Sequence, residues 1–178
     1  MMPDEGGCWA SEKVQEMPEL KPLAATVRCG TCAWYDHRPF YPVSLAPNKR
    51  LAYYARRFPV VEVDATFYRA VTKELFQRWV VEVPQQFVFN VKGRASFTLH
   101  DRRPPSIARV APELEAYREA LLPLQTAGKL GAVHLQFAPW VEDTPANRKY
   151  VAELVKELSP WRVAVEFRNR SWFEDGNR

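Results

Sequence analysis

The sequence predicts an α/β fold, a TIM-like (β/α) barrel that is incomplete, with about five of the eight strand–helix units. Short apolar or β-branched runs alternate five times with helical patterns, and most of the predicted strands carry one apolar and one polar face. Alternating strands and helices favour parallel strands joined by right-handed crossovers. The polar faces fit a barrel, whose strands point alternate side chains into a lumen and under the outer helices.

Length and composition fit one globular domain. The chain has 178 residues, of which 47% are hydrophobic and 26% are charged, as is ordinary for such domains. We interpret residues 1–25, which show little periodicity, as a flexible N-terminal extension, and residues 26–178 as a partial β/α barrel domain. The net charge of +4 permits nucleic acid as a partner without arguing for it.

No targeting or membrane segment is predicted. The longest uncharged apolar run, from Leu130 to Val141, is interrupted by Pro139 and is shorter than the about 20 residues of a spanning helix. The acidic N-terminus lacks the apolar core of a signal peptide. Three cysteines, an odd number, do not make a disulfide framework. We therefore expect a cytoplasmic protein with no membrane partner.

Five strands are predicted, at residues 26–32, 60–67, 87–92, 132–137 and 162–168. The first contains a lone C-x-x-C, formed by Cys29 and Cys32. Strand positions three apart point to opposite faces of a sheet. We therefore interpret the two cysteines as small strand residues rather than as a redox pair or a metal knuckle.

Helices are predicted between the strands. Thr72 and Thr144 each precede a helical apolar stripe and are predicted N-caps. Pro145 suits the first position of its helix. Pro123 is predicted to end or kink the helix before the fourth strand, because proline removes a helical hydrogen bond.

The polar faces of the strands carry the functional prediction. Charged residues buried singly would cost several kcal/mol each or shift their pKa values, whereas together they form pairs. Because packed apolar residues often replace a buried ion pair without loss of stability, we interpret the charges as a ligand site. The polar-face residues are Glu62, Asp64, Thr66, Asn90, Lys92, His134, Gln136, Glu166 and Arg168.

Several segments resemble one known family. They are GTCAW at 30–34, FYP at 40–42, VEVDATFY at 61–68, FNVK at 89–92, HLQ at 134–136 and AVEFRNRSW at 164–172. Together they resemble the DUF72 family, also called YecE-like. The resemblance implies a TIM-like β/α barrel and supplies no established reaction. Cys32 stands where the family usually has serine, and a barrel takes eight strands, so we expect the sequence to be a fragment of a longer protein.

Acid–base or hydrolytic chemistry on a small polar or anionic ligand, sugar- or phosphate-like, is the first of three function classes. Glu62 and Glu166 are the predicted general acid and base, because they lie on different strands at similar depth. Lys92 and Arg168 are predicted to bind an anionic group. The other predicted substrate contacts are Asp64, Thr66, Tyr68, Asn90 and Gln136.

Two further classes stay open. A metal-dependent isomerase or nuclease would draw on Glu62, Asp64, His134 and Glu166 as ligands, but the nearby cations oppose a metal ion, and the prediction includes no metal ligands. The other class is a non-catalytic ligand- or partner-binding barrel. No cofactor is specified by any motif. Open edges on the first and fifth strands predict self-association.

Overall fold

Five parallel strands form one sheet in the order β1-β2-β3-β4-β5, so that strands adjacent in sequence are adjacent in space. The structure is a computed structural model that describes residues 27–174. The strands are β1 (Gly30–Cys32), β2 (Val60–Val63), β3 (Val88–Lys92), β4 (Leu130–Gln136) and β5 (Val163–Glu166). The α/β class and the parallel sheet are confirmed, whereas the predicted extension over residues 1–25 lies outside the described residues.

The helices connect successive strands. They are α1 (Arg50–Ala55), α2 (Ala65–Tyr68), α3 (Lys73–Glu82), α4 (Ile107–Thr126) and α5 (Pro145–Glu157), with short 3₁₀ turns at Arg38–Phe40, Pro47–Lys49 and Arg170–Phe173. Both predicted N-caps are confirmed. The Thr72 hydroxyl accepts a hydrogen bond from the Leu75 amide at 3.3 Å, and the Thr144 hydroxyl accepts one from the Asn147 amide at 3.2 Å.

The described strands do not close into a barrel. Within residues 27–174, β1 pairs only with β2 and β5 pairs only with β4. Closing a β/α ring takes eight strands at the usual tilt, and the five strands here leave both outer edges unpaired. The observed architecture is thus an open parallel sheet.

The second strand is shorter than predicted. It ends at Val63, and residues 65–68 form the single turn α2. The Thr66 side chain, predicted to lie on the polar face, is buried and donates to the carbonyl oxygens of Val63 at 3.1 Å and Lys92 at 2.6 Å. A threonine hydroxyl that binds nearby carbonyls favours a turn over an extended strand, which the alternating pattern of residues 60–67 does not reveal.

The predicted effect of Pro123 was only partly right. Helix α4 contains both Pro112 and Pro123 and ends at Thr126, one turn past Pro123. That last turn is held by the Ala127 amide, which donates to the Pro123 carbonyl at 3.1 Å, and by the Lys129 amide, which donates to the Leu124 carbonyl at 2.8 Å. Because a proline near a helix end removes only one hydrogen bond, the turn persists.

The two faces of the sheet differ as the alternation predicts. Val61, Phe89, Val133 and Leu135 have no exposed surface and pack with the helices. Each such side chain stabilises the fold by about 1.5–3 kcal/mol through burial. The intervening polar residues lie on the other face, which no helix covers, and are half-buried. The alternation thus determines which side chains a ligand can reach.

The helices of residues 27–174 bear on whether the chain can cross a membrane. None of them combines the length and the apolar character that crossing a bilayer requires.

Candidate functional site

Polar side chains converge on the uncovered face of the sheet, at the carboxyl ends of the strands. We call this group the polar cluster; it consists of Cys32, Glu62, Asp64, Lys92, His134, Gln136, Glu166 and Arg168. Every strand contributes at least one member, and Asp64 and Arg168 follow shortly after the ends of β2 and β5. In parallel α/β folds this edge is where ligands bind.

His134 is the centre of the polar cluster. Its Nδ1 lies 2.7 Å from Glu62 Oε2, and its Nε2 lies 3.1 Å from Glu166 Oε2. Glu62 is on β2 and His134 is on β4, two strands that are separated by β3 and therefore stand roughly 10 Å apart. The two side chains therefore point toward each other and meet over the intervening strand.

The Glu166 carboxylate is hydrogen-bonded to three different side chains. The Gln136 side-chain amide donates to both carboxylate oxygens at 2.8 Å, and Arg168 Nε donates to Oε1 at 2.8 Å. With His134 on Oε2, both oxygens of Glu166 are held in place. The side chain of Glu166 is nevertheless 39% exposed, compared with 26% for Glu62. Glu166 is therefore the better placed of the two carboxylates to meet a molecule from solvent.

Lys92 and Asp64 form a second ion pair in the polar cluster. Lys92 Nζ lies 3.0 Å from Asp64 Oδ1, and both side chains are mostly shielded from water. The ammonium group also lies 5.0 Å from the centre of the Phe67 ring, within the range of a cation–π interaction. The Lys92 carbonyl accepts hydrogen bonds from Thr66 and Tyr117. Thr66, predicted to contact substrate, thus anchors the backbone of Lys92.

Hydrogen bonds within the cluster favour the charged forms of His134, Glu62 and Glu166. The bond to Glu62 raises the pKa of His134 above its ordinary value of 6.5, although burial opposes this. The same bond holds the pKa of Glu62 below its usual range. Burial favours neutral Glu166, but bonds from Arg168 and Gln136 outweigh it and lower the pKa of Glu166. With His134 protonated, three carboxylates face three cations.

Cys32 lies beside the acidic side of the polar cluster as a free thiol. Burial, together with the charges of Asp64 and Glu62, raises the pKa of Cys32 to about 11. Because the thiolate is the nucleophilic form, Cys32 is a weak nucleophile at neutral pH. Nucleophilic cysteine chemistry is therefore disfavoured at this position.

Metal binding is the other chemistry that Cys32 suggests. One ligand atom each from Cys32, Glu62 and Asp64 lies within 4.8 Å of the others, so these residues are the described group best placed to hold a cation. However, Glu62 already binds His134, and Asp64 already binds Lys92. A metal ion at this point would compete with the His134 ring and the Lys92 ammonium group for the two carboxylates.

His100 extends the site at its rim. Its ring packs edge-on against Phe67 at 4.8 Å and also contacts Trp140, while Thr98 Oγ1 lies 2.9 Å from Nδ1. Burial and the positive charges of Lys92 and Arg168 lower the pKa of His100. His100 is thus a neutral neighbour of the two cations, with one ring nitrogen bonded to Thr98.

Two other predicted substrate contacts lie apart from the cluster. Asn90 stands in register with Glu62 and faces Gly131, and within residues 27–174 its side chain makes no hydrogen bond. Tyr68 is 74% exposed on α2 and packs edge-on against Phe67. The structure therefore brings together Glu62, Asp64, Lys92, Gln136, Glu166 and Arg168 of the predicted set, and leaves Thr66, Tyr68 and Asn90 outside it.

His134 has a more central place in the site than the sequence predicted. The sequence placed it on the polar face and named it as a metal ligand in one alternative, but its contacts to two non-adjacent strands are not encoded in any local pattern. The signal in the sequence was the alternation of side chains along a strand. His134 and Gln136 are two positions apart and share one face, and Glu166 and Arg168 share a face for the same reason.

Comparison with known proteins extends the description beyond this chain. A family model described as "Protein of unknown function DUF72" matches residues 28–178. The UPF0759 protein YunF from Bacillus subtilis (strain 168) is 35% identical over 144 residues, which cover 81% of this chain and 51% of that protein. The chain therefore spans about half the length of this curated relative.

Solved structures with similar folds come from two bacteria. A DUF72 family protein from Enterococcus faecalis V583 matches in two crystal structures, with TM-scores of 0.69 and 0.73, 25% identity, and coverage of 84% of this chain and 55% and 54% of that chain. A DUF72 family protein from Thermotoga maritima MSB8 matches with a TM-score of 0.70, 27% identity, and coverage of 86% of this chain and 60% of that chain.

Proposed function

This chain belongs to the DUF72 family, and from that premise we propose that the polar cluster binds a small polar or anionic molecule, sugar- or phosphate-like, and performs acid–base chemistry on it. The observation that supports the proposal most is the position of His134 between Glu62 and Glu166, at 2.7 and 3.1 Å. Two carboxylates joined through one imidazole form a path along which a proton can move.

The three groups have different roles in this proposal. Glu166, the more exposed carboxylate, takes a proton from the substrate as general base. His134 donates a hydrogen bond that stabilises the Glu166 anion, and it returns a proton to a leaving oxygen as general acid. Glu62 fixes the orientation of the His134 ring and favours its protonated form, because the hydrogen bond to Glu62 raises the pKa of His134. Thus Glu62, predicted as a catalytic group in contact with substrate, acts through His134.

Lys92 and Arg168 supply the binding half of the proposal. Each pairs with a carboxylate at its own side of the cluster, and His100 stands near both. A phosphate or carboxylate that enters between them gains charge-assisted hydrogen bonds, with the planar guanidinium offering two donors and the ammonium a point charge. Gln136, already bonded to Glu166, is within reach of a substrate hydroxyl beside the base.

We also propose that the open sheet is the five-stranded part of a TIM-like barrel. The strand order follows the sequence without a reversal, as in a barrel. The Glu62 and His134 side chains meet across β3, as the inward-pointing side chains of a barrel do. The solved relatives are longer than this chain, which covers 55% and 60% of two of them. In such a barrel the polar cluster would face the lumen at the catalytic end.

Binding of glucose 6-phosphate, with glucose as the uncharged comparison, tests the anion site. We expect the wild-type chain to bind the phosphate ester more tightly than glucose in ligand-observed NMR titrations. Lys92→Met should weaken binding by about tenfold, because a charge-assisted hydrogen bond is lost. Lys149→Met is the control, since that side chain is 77% exposed, lies on helix α5 and pairs with Glu153 rather than with a member of the cluster. Equal affinity in Lys92→Met and in the control would contradict the proposal.

Turnover distinguishes an enzyme from a binding protein at the same site. Phosphorus NMR of a mixture of sugar phosphates follows hydrolysis and isomerisation together. If one ester reacts, Glu166→Gln should slow the reaction by about 10²–10⁴-fold while binding persists, because general base catalysis contributes that much. Full turnover by Glu166→Gln would exclude the acid–base role. Binding of glucose 6-phosphate without turnover of any ester would favour the non-catalytic alternative.

We further propose that the chain self-associates through its sheet edges. The backbone groups on the outer sides of β1 and β5 have no strand partner within residues 27–174, and unpaired edges invite pairing with another chain. Sedimentation velocity over a wide range of protein concentration should show the average mass rising with concentration. A monomer of 20.6 kDa at every concentration would contradict this expectation.

A further inference from the structure

A cavity that shares only Asp64 with the polar cluster opens between the segment that follows β1 and helices α1 to α3. It has a volume of about 410 Å³, which lies near the lower end of the range of small-molecule sites. Its larger apolar side chains come from five parts of the fold, and are Trp34, Leu51, Val63, Val71, Leu75 and Trp79. The cavity therefore has room for one small ligand with an apolar body.

Aromatic rings form the firmest wall of this cavity. Trp34 meets Trp79 edge-on, with ring centres 4.8 Å apart and an angle of 88° between the planes. Trp79 is itself nearly parallel to Phe89 at 6.3 Å, and Phe89 is completely buried. The two indoles are thus held by packing rather than free to collapse into the space. Edge-on and offset aromatic contacts favour another planar ring over an aliphatic group.

Within the described residues, the charges at the cavity that lack an ion-pair partner are two arginines and one glutamate, Glu82, so the unpaired charge is net positive. On α3, Leu75, Arg78 and Trp79 share one helix face, and Arg69 lies just after α2. Neither arginine forms an ion pair with any residue in the described part of the chain. Two carboxylates also line the cavity. Asp64 is neutralised by Lys92, and Glu82 lies one helical turn beyond Arg78.

Tyr35 marks the mouth of the cavity. It is 47% exposed, and its hydroxyl is close enough to Asp64 and Arg69 for their charges to act on it. Burial together with the charge of Asp36 raises the pKa of Tyr35, so the phenol is a neutral hydrogen-bond donor. A donor and a guanidinium thus stand together at the entrance.

We propose that this cavity binds a small aromatic carboxylate, with its ring against Trp34 and Trp79 and its carboxylate at Arg69. A guanidinium binds a carboxylate through two parallel hydrogen bonds, and Arg78 on the adjacent helix adds positive charge. A single six-membered ring with a short acidic arm matches a cavity of this size. The inference does not depend on the proposed acid–base function, because neither Lys92 nor His134 lines the cavity.

Benzoate is the probe for this proposal, and benzyl alcohol is its uncharged counterpart. Saturation-transfer NMR on the full chain should show benzoate binding at least about tenfold more tightly than benzyl alcohol, because only the acid engages the guanidinium. Overhauser contacts should join the benzoate ring protons to the indole protons of Trp34 and Trp79. Absence of benzoate binding, or benzoate contacts only to other residues, would overturn the proposal.

Three variants locate the ligand. Arg69→Gln should weaken benzoate binding by about tenfold and leave benzyl alcohol unaffected, whereas Arg170→Gln, whose side chain is 93% exposed, should bind both probes as the wild type does. Arg168→Gln should also retain benzoate binding, because Arg168 belongs to the polar cluster, pairs with Glu166 and does not line the cavity. If Arg69→Gln and Arg170→Gln bind benzoate equally, the carboxylate assignment is wrong. If Arg168→Gln loses benzoate, the ligand lies in the polar cluster instead.

Discussion

Gly30→Ala is expected to lower the free energy of unfolding by about 3 kcal/mol or more. A β-carbon added at Gly30 would stand 2.0 Å from the carbonyl oxygen of Val60, its register partner on β2. That oxygen cannot yield easily, because it accepts a hydrogen bond from the Tyr54 hydroxyl at 3.0 Å and Val60 also pairs with β3. The extra methyl group must therefore push β1 away from the sheet.

Gly128→Ala is the matched control for that substitution. Nothing lies within 4 Å of a β-carbon at Gly128, but its φ of +67° is a conformation that alanine adopts with difficulty, so a cost of about 1 kcal/mol is expected. Urea denaturation followed by circular dichroism measures both values. If Gly30→Ala costs no more than Gly128→Ala, β1 does not pack against Val60 as described.

His134→Leu is expected to remove a pH-dependent part of the stability, worth about 1–2 kcal/mol near neutrality. Because the pKa of folded His134 is raised, its contribution is complete below pH 6.5 and is lost as the pH rises through the folded value. Because the pKa of folded Glu62 is lowered, its contribution is complete above pH 4.5 and is lost as the pH falls through the folded value. The wild type should therefore gain most from this pair between pH 4.5 and 6.5.

The measurement is the free energy of unfolding at a series of pH values for the wild type and the variant. The difference between them should shrink as the pH rises above 6.5, since deprotonation removes from the wild type what the substitution removes from the variant. His37→Gln serves as the control, because His37 is exposed and bonds only the Cys32 carbonyl within residues 27–174. A difference that is constant with pH would show that His134 is not charged between its carboxylates.

Much of the fold follows from local sequence patterns. The five strands were expected at the observed places, and Thr72 and Thr144 cap their helices as predicted, because a cap depends on residues only three positions apart. The alternation of Val61 with Glu62 also determines which face is buried, because successive side chains in a strand point in opposite directions. Local periodicity thus carries both the elements and their orientation.

Two local predictions differ from the structure, one because of a contact distant in sequence and the other because of hydrogen bonds within the last helical turn. Thr66 continues an alternating strand pattern, but its hydroxyl bonds to the Lys92 carbonyl on the next strand and lies in a helical turn. Pro123 is expected to end or kink a helix, but hydrogen bonds that follow it keep one more turn in place. The Lys92 carbonyl is not visible in a window of residues around Thr66, whereas the bonds after Pro123 join close neighbours along the chain.

The sequence by itself determined the parallel α/β class and which polar side chains share the uncovered face, because both depend on the period of hydrophobicity along one strand. Only the tertiary structure decided that the described strands form an open sheet, that Thr66, Tyr68 and Asn90 stand outside the polar cluster, and that His134 joins Glu62 to Glu166. The reason is geometric: contact between side chains on non-adjacent strands depends on the curvature of the whole sheet, to which every strand contributes.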